Sequence, residues 1–164
     1  MQGLGELKEK LARERPDKWE NIPDIELYMD QVINYMKRQH IGMRAGEGLT
    51  SAMVNNYIKK DLLPRARKKR YERRHIAYLT LIGLMKQVLP VAETGALLKK
   101  YAEKRDIEKI YGKYRDMLDD SLLAASLEIS DDMSEDEVLD LILKFAVSSY
   151  TDKLVCDSLL RCLE

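Results

Sequence analysis

Apolar side chains recur along most of this chain at spacings of three and four, the period of an α-helix with one buried face. Leu4, Leu7 and Leu11 give a short, weakly amphipathic helix or a frayed leader over residues 1–18. Behind Trp19, Ile22 and Pro23, the positions Leu27, Tyr28, Val32, Tyr35 and Met36 predict a first firm helix, with Asp24 as its N-cap. Three glycines within Gly42–Gly48 predict a loop. Thr50 or Ser51 then caps a helix that turns Met53, Val54, Tyr57 and Ile58 inward and closes at Leu62-Leu63-Pro64.

Residues 65–71 follow no helical period and read as a short basic hairpin or wing. A long helix follows from about Arg73 to Leu89, with Ile76, Leu79, Ile82 and Leu84 on its apolar side and Pro90 at its end. Ala92–Lys104 and the longer Asp106–Leu127 continue the pattern. Ser134 and Glu137 form a capping box, in which each side chain satisfies an orphan amide. It starts the helix Val138–Val147, and Thr151 caps a last helix carrying Leu154, Val155, Leu159, Leu160 and Leu163.

Composition agrees with a mainly α architecture: eight Gly and four Pro in 164 residues, with 45% hydrophobic positions. No apolar run approaches the ~18 residues that span a bilayer, and the first residues lack the apolar stretch of a secretory signal. The expectation is a cytoplasmic protein. Cys156 and Cys162, six apart and far in sequence from His40 and His75, are expected to be buried free thiols.

A net charge of zero hides a strong segregation. Lys59–Arg74 holds nine Lys and Arg against Asp61 and Glu72, while Asp116–Asp140 holds ten acids and no base. The acidic block suits a solvated helix face. The basic block is dense, carries Tyr71 and follows a proline, which suits a surface for polyanions. Glycine-rich phosphate loops, paired metal-ligand histidines and nucleophile elbows are all missing from the sequence, so neither an enzyme nor a cofactor is expected.

The candidate chemistry therefore lies in Leu49–Leu79. Ser51, Asn55 and Asn56 are the candidate base readers, because an Asn amide can donate to and accept from adenine in the major groove. Lys59, Lys60, Arg65, Arg67, Lys68, Lys69, Arg70, Tyr71, Arg73 and Arg74 are the candidate phosphate binders.

This segment resembles the MerR-type winged helix-turn-helix. Asp61-Leu62-Leu63-Pro64 stands where that family has its Gly-Leu-Leu-like step, Lys69 where it has a wing Arg, and Tyr71 at its Tyr. Tyr57 matches the second aromatic of the recognition helix, and Asn55 takes the place of its usual Arg. Asp61 replaces a glycine that commonly needs positive φ. Over most of residues 19–160, the string WENIPDIELYMDQV…LTSAMVNNYIKKDLLP…KKRYERRHIAYLTLIGLMKQVL resembles a bacterial family catalogued as domain of unknown function 1836. That second resemblance implies a shared fold and no activity.

The resulting expectation is a mainly α chain: a leader at 1–18, a MerR-like winged helix-turn-helix with a short basic wing at 19–104, and a C-terminal helical bundle at 105–164 for packing or dimerisation. Its partners would be double-stranded DNA and a second copy, with no membrane, and its role the regulation of transcription. The alternative is a protein-interaction module whose basic ribbon binds an acidic partner.

Overall fold

The computed structural model describes residues 3–39 and 48–163. The chain is mainly helical: α1 (Leu4–Arg13), a 3-10 turn at Trp19–Asn21, α2 (Met29–Met36), α3 (Ser51–Lys59), α4 (Arg73–Met85), α5 (Val91–Ala102), α6 (Ile107–Leu127) and α7 (Glu135–Arg161). Among the described residues there is no strand, only the isolated antiparallel bridges Leu27–Tyr71 and Arg67–Arg70. The loop expected at Gly42–Gly48 lies, apart from Gly48, outside the described residues.

Two compact units divide the chain: Arg15–Met117, and Met1–Glu14 with Leu118–Glu164. One division falls between α1 and Trp19 and the other within α6. Residues 16–19 and the first turns of α6 are bound into the first unit by long-range contacts that periodicity does not register.

In the first unit α4 is the central helix. His75, Ile76, Ala77, Leu79, Thr80, Leu81 and Ile82 are all buried, so it is enclosed nearly all round rather than along one stripe. Val32, Tyr35 and Met36 of α2, Val54 and Tyr57 of α3, Leu98 of α5, and Ile110 and Tyr111 of α6 complete the core around it. A Cβ at Gly95 of α5 would meet the Leu62 side chain at 3.0 Å, so the missing side chain lets α5 pass close to the end of α3.

A polar knot ties the residues ahead of Trp19 to this core. Tyr35 donates its hydroxyl to Asp17 Oδ2 at 2.5 Å, and Gln39 Nε2 donates to the same oxygen at 3.0 Å. Tyr111 donates to the Asp17 carbonyl at 2.7 Å, and Arg115 Nε to the Pro16 carbonyl at 3.0 Å. Burial, reinforced by the Asp17 carboxylate beside it, holds the Tyr35 hydroxyl protonated well above its ordinary range.

Three local expectations are corrected. Asp24 does not cap α2; the helix begins at Met29, with Tyr28 as N-cap and the Tyr28 N–H donating to Gln31 Oε1 at 2.8 Å. The reason is that Leu27 is held in extended pairing with Tyr71. Thr151 starts no helix: it lies inside α7, donating its hydroxyl to the Val147 carbonyl at 3.0 Å. The thiols are free, but Cys162 is exposed and Cys156 only half-buried, because the end of α7 has little packed against it.

In the second unit Leu4, Leu7 and Leu11 of α1 face Val138, Leu141 and Phe145 of α7 across an apolar groove of about 410 Å³. Ser134 caps α7 as the sequence predicts, accepting the Glu137 N–H at 3.3 Å while Glu137 accepts the Ser134 N–H at 2.7 Å. Lys144 pairs with Glu128 across the same unit. No described helix is long and apolar enough to cross a membrane.

Candidate functional site

α3 is a nine-residue helix whose start is fixed by Thr50, whose Oγ1 accepts the Met53 N–H at 3.2 Å. Val54 and Tyr57 anchor it to the core. The opposite side presents two rows at helical spacing, Ser51–Asn55–Lys59 and Ala52–Asn56–Lys60, every member of which is exposed. The three candidate base readers thus share one solvent-facing surface.

The end of α3 is a Schellman motif. Leu62 N–H donates to the Tyr57 carbonyl at 2.9 Å and Asp61 N–H to the Ile58 carbonyl at 3.2 Å, with Asp61 at φ 59°. Asp61 therefore adopts the backbone that the resembled family reserves for glycine. Leu62 and Leu63, next in the chain, are buried and redirect it outward through Pro64.

The basic turn follows. Arg70 N–H closes it on the Arg67 carbonyl at 2.9 Å, and its two central residues, Lys68 and Lys69, both have positive φ, 49° and 62°. Positive φ at both central positions is the signature of a type I′ hairpin turn, whose usual residues are Asn-Gly. Two lysines occupy it here, at roughly 1–2 kcal/mol of backbone strain apiece.

The cations differ in how far they are engaged. Among the described residues no carboxylate pairs with Lys59, Lys60, Arg65, Arg67, Lys68 or Lys69, and all six are exposed. Arg70 reaches Glu26 at 3.5 Å and lies over the Tyr28 ring. Arg74 holds Glu72 at 3.0 Å.

Two candidates leave the phosphate set. Arg73 is spent on the fold: its Nε donates to the Ile22 carbonyl at 2.9 Å, and its guanidinium covers Trp19 and approaches Asp24. Tyr71 is only 4% exposed, its ring packed edge-on against His75 at 5.5 Å, so it cannot reach a ligand.

His75 belongs to this scaffold. Its Nδ1 accepts the Glu72 N–H at 2.9 Å, which starts α4, while its buried Nε2 has no partner at normal hydrogen-bond distance among the described residues. Burial lowers its pKa, and Arg74 lowers it further, so the ring is neutral at pH 7.

Sequence reasoning missed the side of α2 that joins this surface. Asn34 and Lys37 line a groove of about 520 Å³ together with Tyr28, Asp30, Ser51 and Lys69. The tip of the basic turn and the first turn of α3 thus meet one hollow. The helical spacing of Asp30, Asn34 and Lys37 opposite Val32 and Met36 is the signal that could have found it.

Residues 17–114 match the family described as Domain of unknown function (DUF1836). The chain belongs to that family. The matched stretch runs almost end to end with the compact unit Arg15–Met117, so the family's sequence pattern is the pattern of that unit. No curated protein matches the chain, and no solved structure does. Within the DUF1836 region, the described residues bring no three His, Cys, Asp or Glu side chains together as a metal site.

Proposed function

We propose that this DUF1836 protein is a sequence-specific double-stranded DNA-binding regulator of transcription, acting as a homodimer through a MerR-like winged helix-turn-helix. In this reading α3 enters the major groove and presents Ser51, Asn55 and Asn56 to base edges. Lys59, Lys60, Arg65, Arg67, Lys68 and Lys69 hold phosphates, with Arg70 and Arg74 as weaker contributors whose acidic partners compete. Lys37, across the groove from Lys69, adds a further phosphate contact.

The observation that carries the reading is the Lys68-Lys69 tip. Two cations with no carboxylate partner among the described residues sit in a strained turn that Asn-Gly would form without strain, so their charge outweighs local stability. A protein surface that only needed a tight turn has no use for that choice. Next to the tip stands a capped helix whose exposed rows carry amides and lysines rather than the Glu–Lys pairs of an ordinary solvated helix.

The test is to incubate the full chain with sheared genomic DNA from its source at physiological salt and sequence what co-purifies. Enrichment of a few intergenic fragments sharing a pseudo-palindrome is the expected result. Recovery at background for every fragment would overturn the proposal.

A further inference from the structure

The exposed side of α3 carries a restricted chemistry. Its two rows, Ser51–Asn55–Lys59 and Ala52–Asn56–Lys60, hold no carboxylate and no arginine. Asn is a weak helix former, and two in succession weaken a helix of nine residues. Among the described residues neither amide has a hydrogen-bond partner: Thr50 supplies the cap, and no Asn side chain bonds back to a helix carbonyl. Both amides are thus left for a ligand that offers a donor beside an acceptor.

The base pairs differ in what they show to the major groove. Guanine shows two acceptors, which suit Arg or Lys, and cytosine a donor, which suits Asp or Glu. Adenine shows an acceptor beside a donor, which one Asn amide meets with two hydrogen bonds, and thymine shows a methyl group that meets alanine. Lys59 and Lys60 match guanine, but they stand at the C-terminal end of α3, whereas a recognition helix meets base edges with its N-terminal residues.

We infer that the duplex selected by this chain carries a core of about three consecutive A·T pairs where α3 meets the groove. The inference rests on the placement of α3 proposed above. From Ser51 to Asn56 the helix rises ~7.5 Å, and base pairs stack at ~3.4 Å, which sets the number of pairs. Asn55 and Asn56 stand ~100° apart around the axis and face opposite walls of the groove, so their adenines lie on opposite strands. Ala52, one turn before Asn56 in the same row, takes a thymine methyl.

Selection from a random duplex library by the full chain at physiological salt, followed by sequencing, tests it. A shared core of about three A·T pairs is expected. A shared motif with G·C pairs at its core would overturn the inference and leave DNA reading in place; no enrichment, with no duplex bound, would overturn both. On the selected duplex, 7-deazaadenine, which lacks the N7 acceptor, should weaken binding at least ~5-fold at one adenine of each strand. Asn55→Ala should remove the sensitivity at one of these adenines and Asn56→Ala at the other. Uracil at the thymine facing Ala52 should weaken binding by a smaller factor, and Ala52→Gly should be indifferent to that change. A 7-deazaadenine penalty that persists in full in both asparagine variants would overturn the amides as the readers.

Discussion

Leu27 and Tyr71 exchange both of their backbone hydrogen bonds, each at 2.8 Å. The bridge clamps the base of the basic turn to the extended residues that lead into α2, and Arg70 on Glu26 lies beside it. A turn fastened at its base can hold strain at its tip. Lys68 and Lys69 keep positive φ because the flanking backbone leaves them no other path.

Replacing both tip residues, Lys68→Asn with Lys69→Gly, should relieve that strain. Urea unfolding followed by Trp19, the only tryptophan of the chain, should show a gain of up to about 2–4 kcal/mol. DNA affinity should fall on every sequence alike, and the log–log salt slope should flatten by about 2. Stability and binding must move in opposite directions; an unaltered salt slope would place the tip away from phosphate.

Asn55→Ala tests base reading. A bidentate contact predicts a loss of about 1–3 kcal/mol on the selected operator and little change on random duplex. Equal losses on both, read by fluorescence anisotropy at one salt concentration, would remove Asn55 from the readers.

Asp61→Gly should stabilise the first unit by about 1 kcal/mol. Glycine takes the left-handed position of the Schellman motif without a Cβ penalty, and the hydrogen bonds to Tyr57 and Ile58 stay in place. Since Asp61 lies beside Lys59 and Lys60 in sequence, losing its carboxylate should also tighten binding to DNA modestly. A lower urea midpoint would show that the carboxylate itself holds the cap.

His75 sets a pH dependence. Its pKa is lowered on folding, so the unfolded chain binds the extra proton below about pH 6.5. Its contribution is complete above the unfolded value and is lost as pH falls from there toward the lowered folded value. The slope within that window stays below ~1.4 kcal/mol per pH unit, the limit for a single proton. His75→Gln keeps an acceptor for the Glu72 N–H, as in a standard capping box, but cannot titrate. Its urea midpoint should vary less than the native one between about pH 5 and 6.5. Parallel curves would mean that another group carries the acid sensitivity.

Where chemistry was local, the sequence was readable. Thr50 and Ser134 cap as their positions imply, and Asp61 takes the conformation its place in the Leu-Leu-Pro step requires, whereas α4 stops at Met85, short of the Leu89–Pro90 end its periodicity suggested. The exposed rows of α3 followed from the spacing of Val54 and Tyr57 alone. Most of the failures share a cause, which is pairing between distant segments. Nothing near Asp24 announces that Leu27 will bind Tyr71, and nothing near Tyr71 announces a buried ring in a run of cations. Arg73 reads as one more surface charge until Trp19 and the Ile22 carbonyl come beneath it. Thr151 erred differently: a threonine hydroxyl serves equally at an N-cap or bonded back to the turn before, and only the continuity of α7 decides.

The knot of Asp17, Tyr111 and Arg115 has a consequence for synthesis. It closes the unit Arg15–Met117 with its two ends side by side, as an insertion between α1 and the remainder of the chain. α1 leaves the ribosome before the insertion, yet its partners in α7 follow the whole insertion, roughly 5–20 s later at ~5–20 residues per second. The insertion can fold while Leu4, Leu7 and Leu11 still wait uncovered. Ribosome-bound chains arrested soon after Met117 clears the exit tunnel should therefore already protect Trp19 while leaving α1 open to protease.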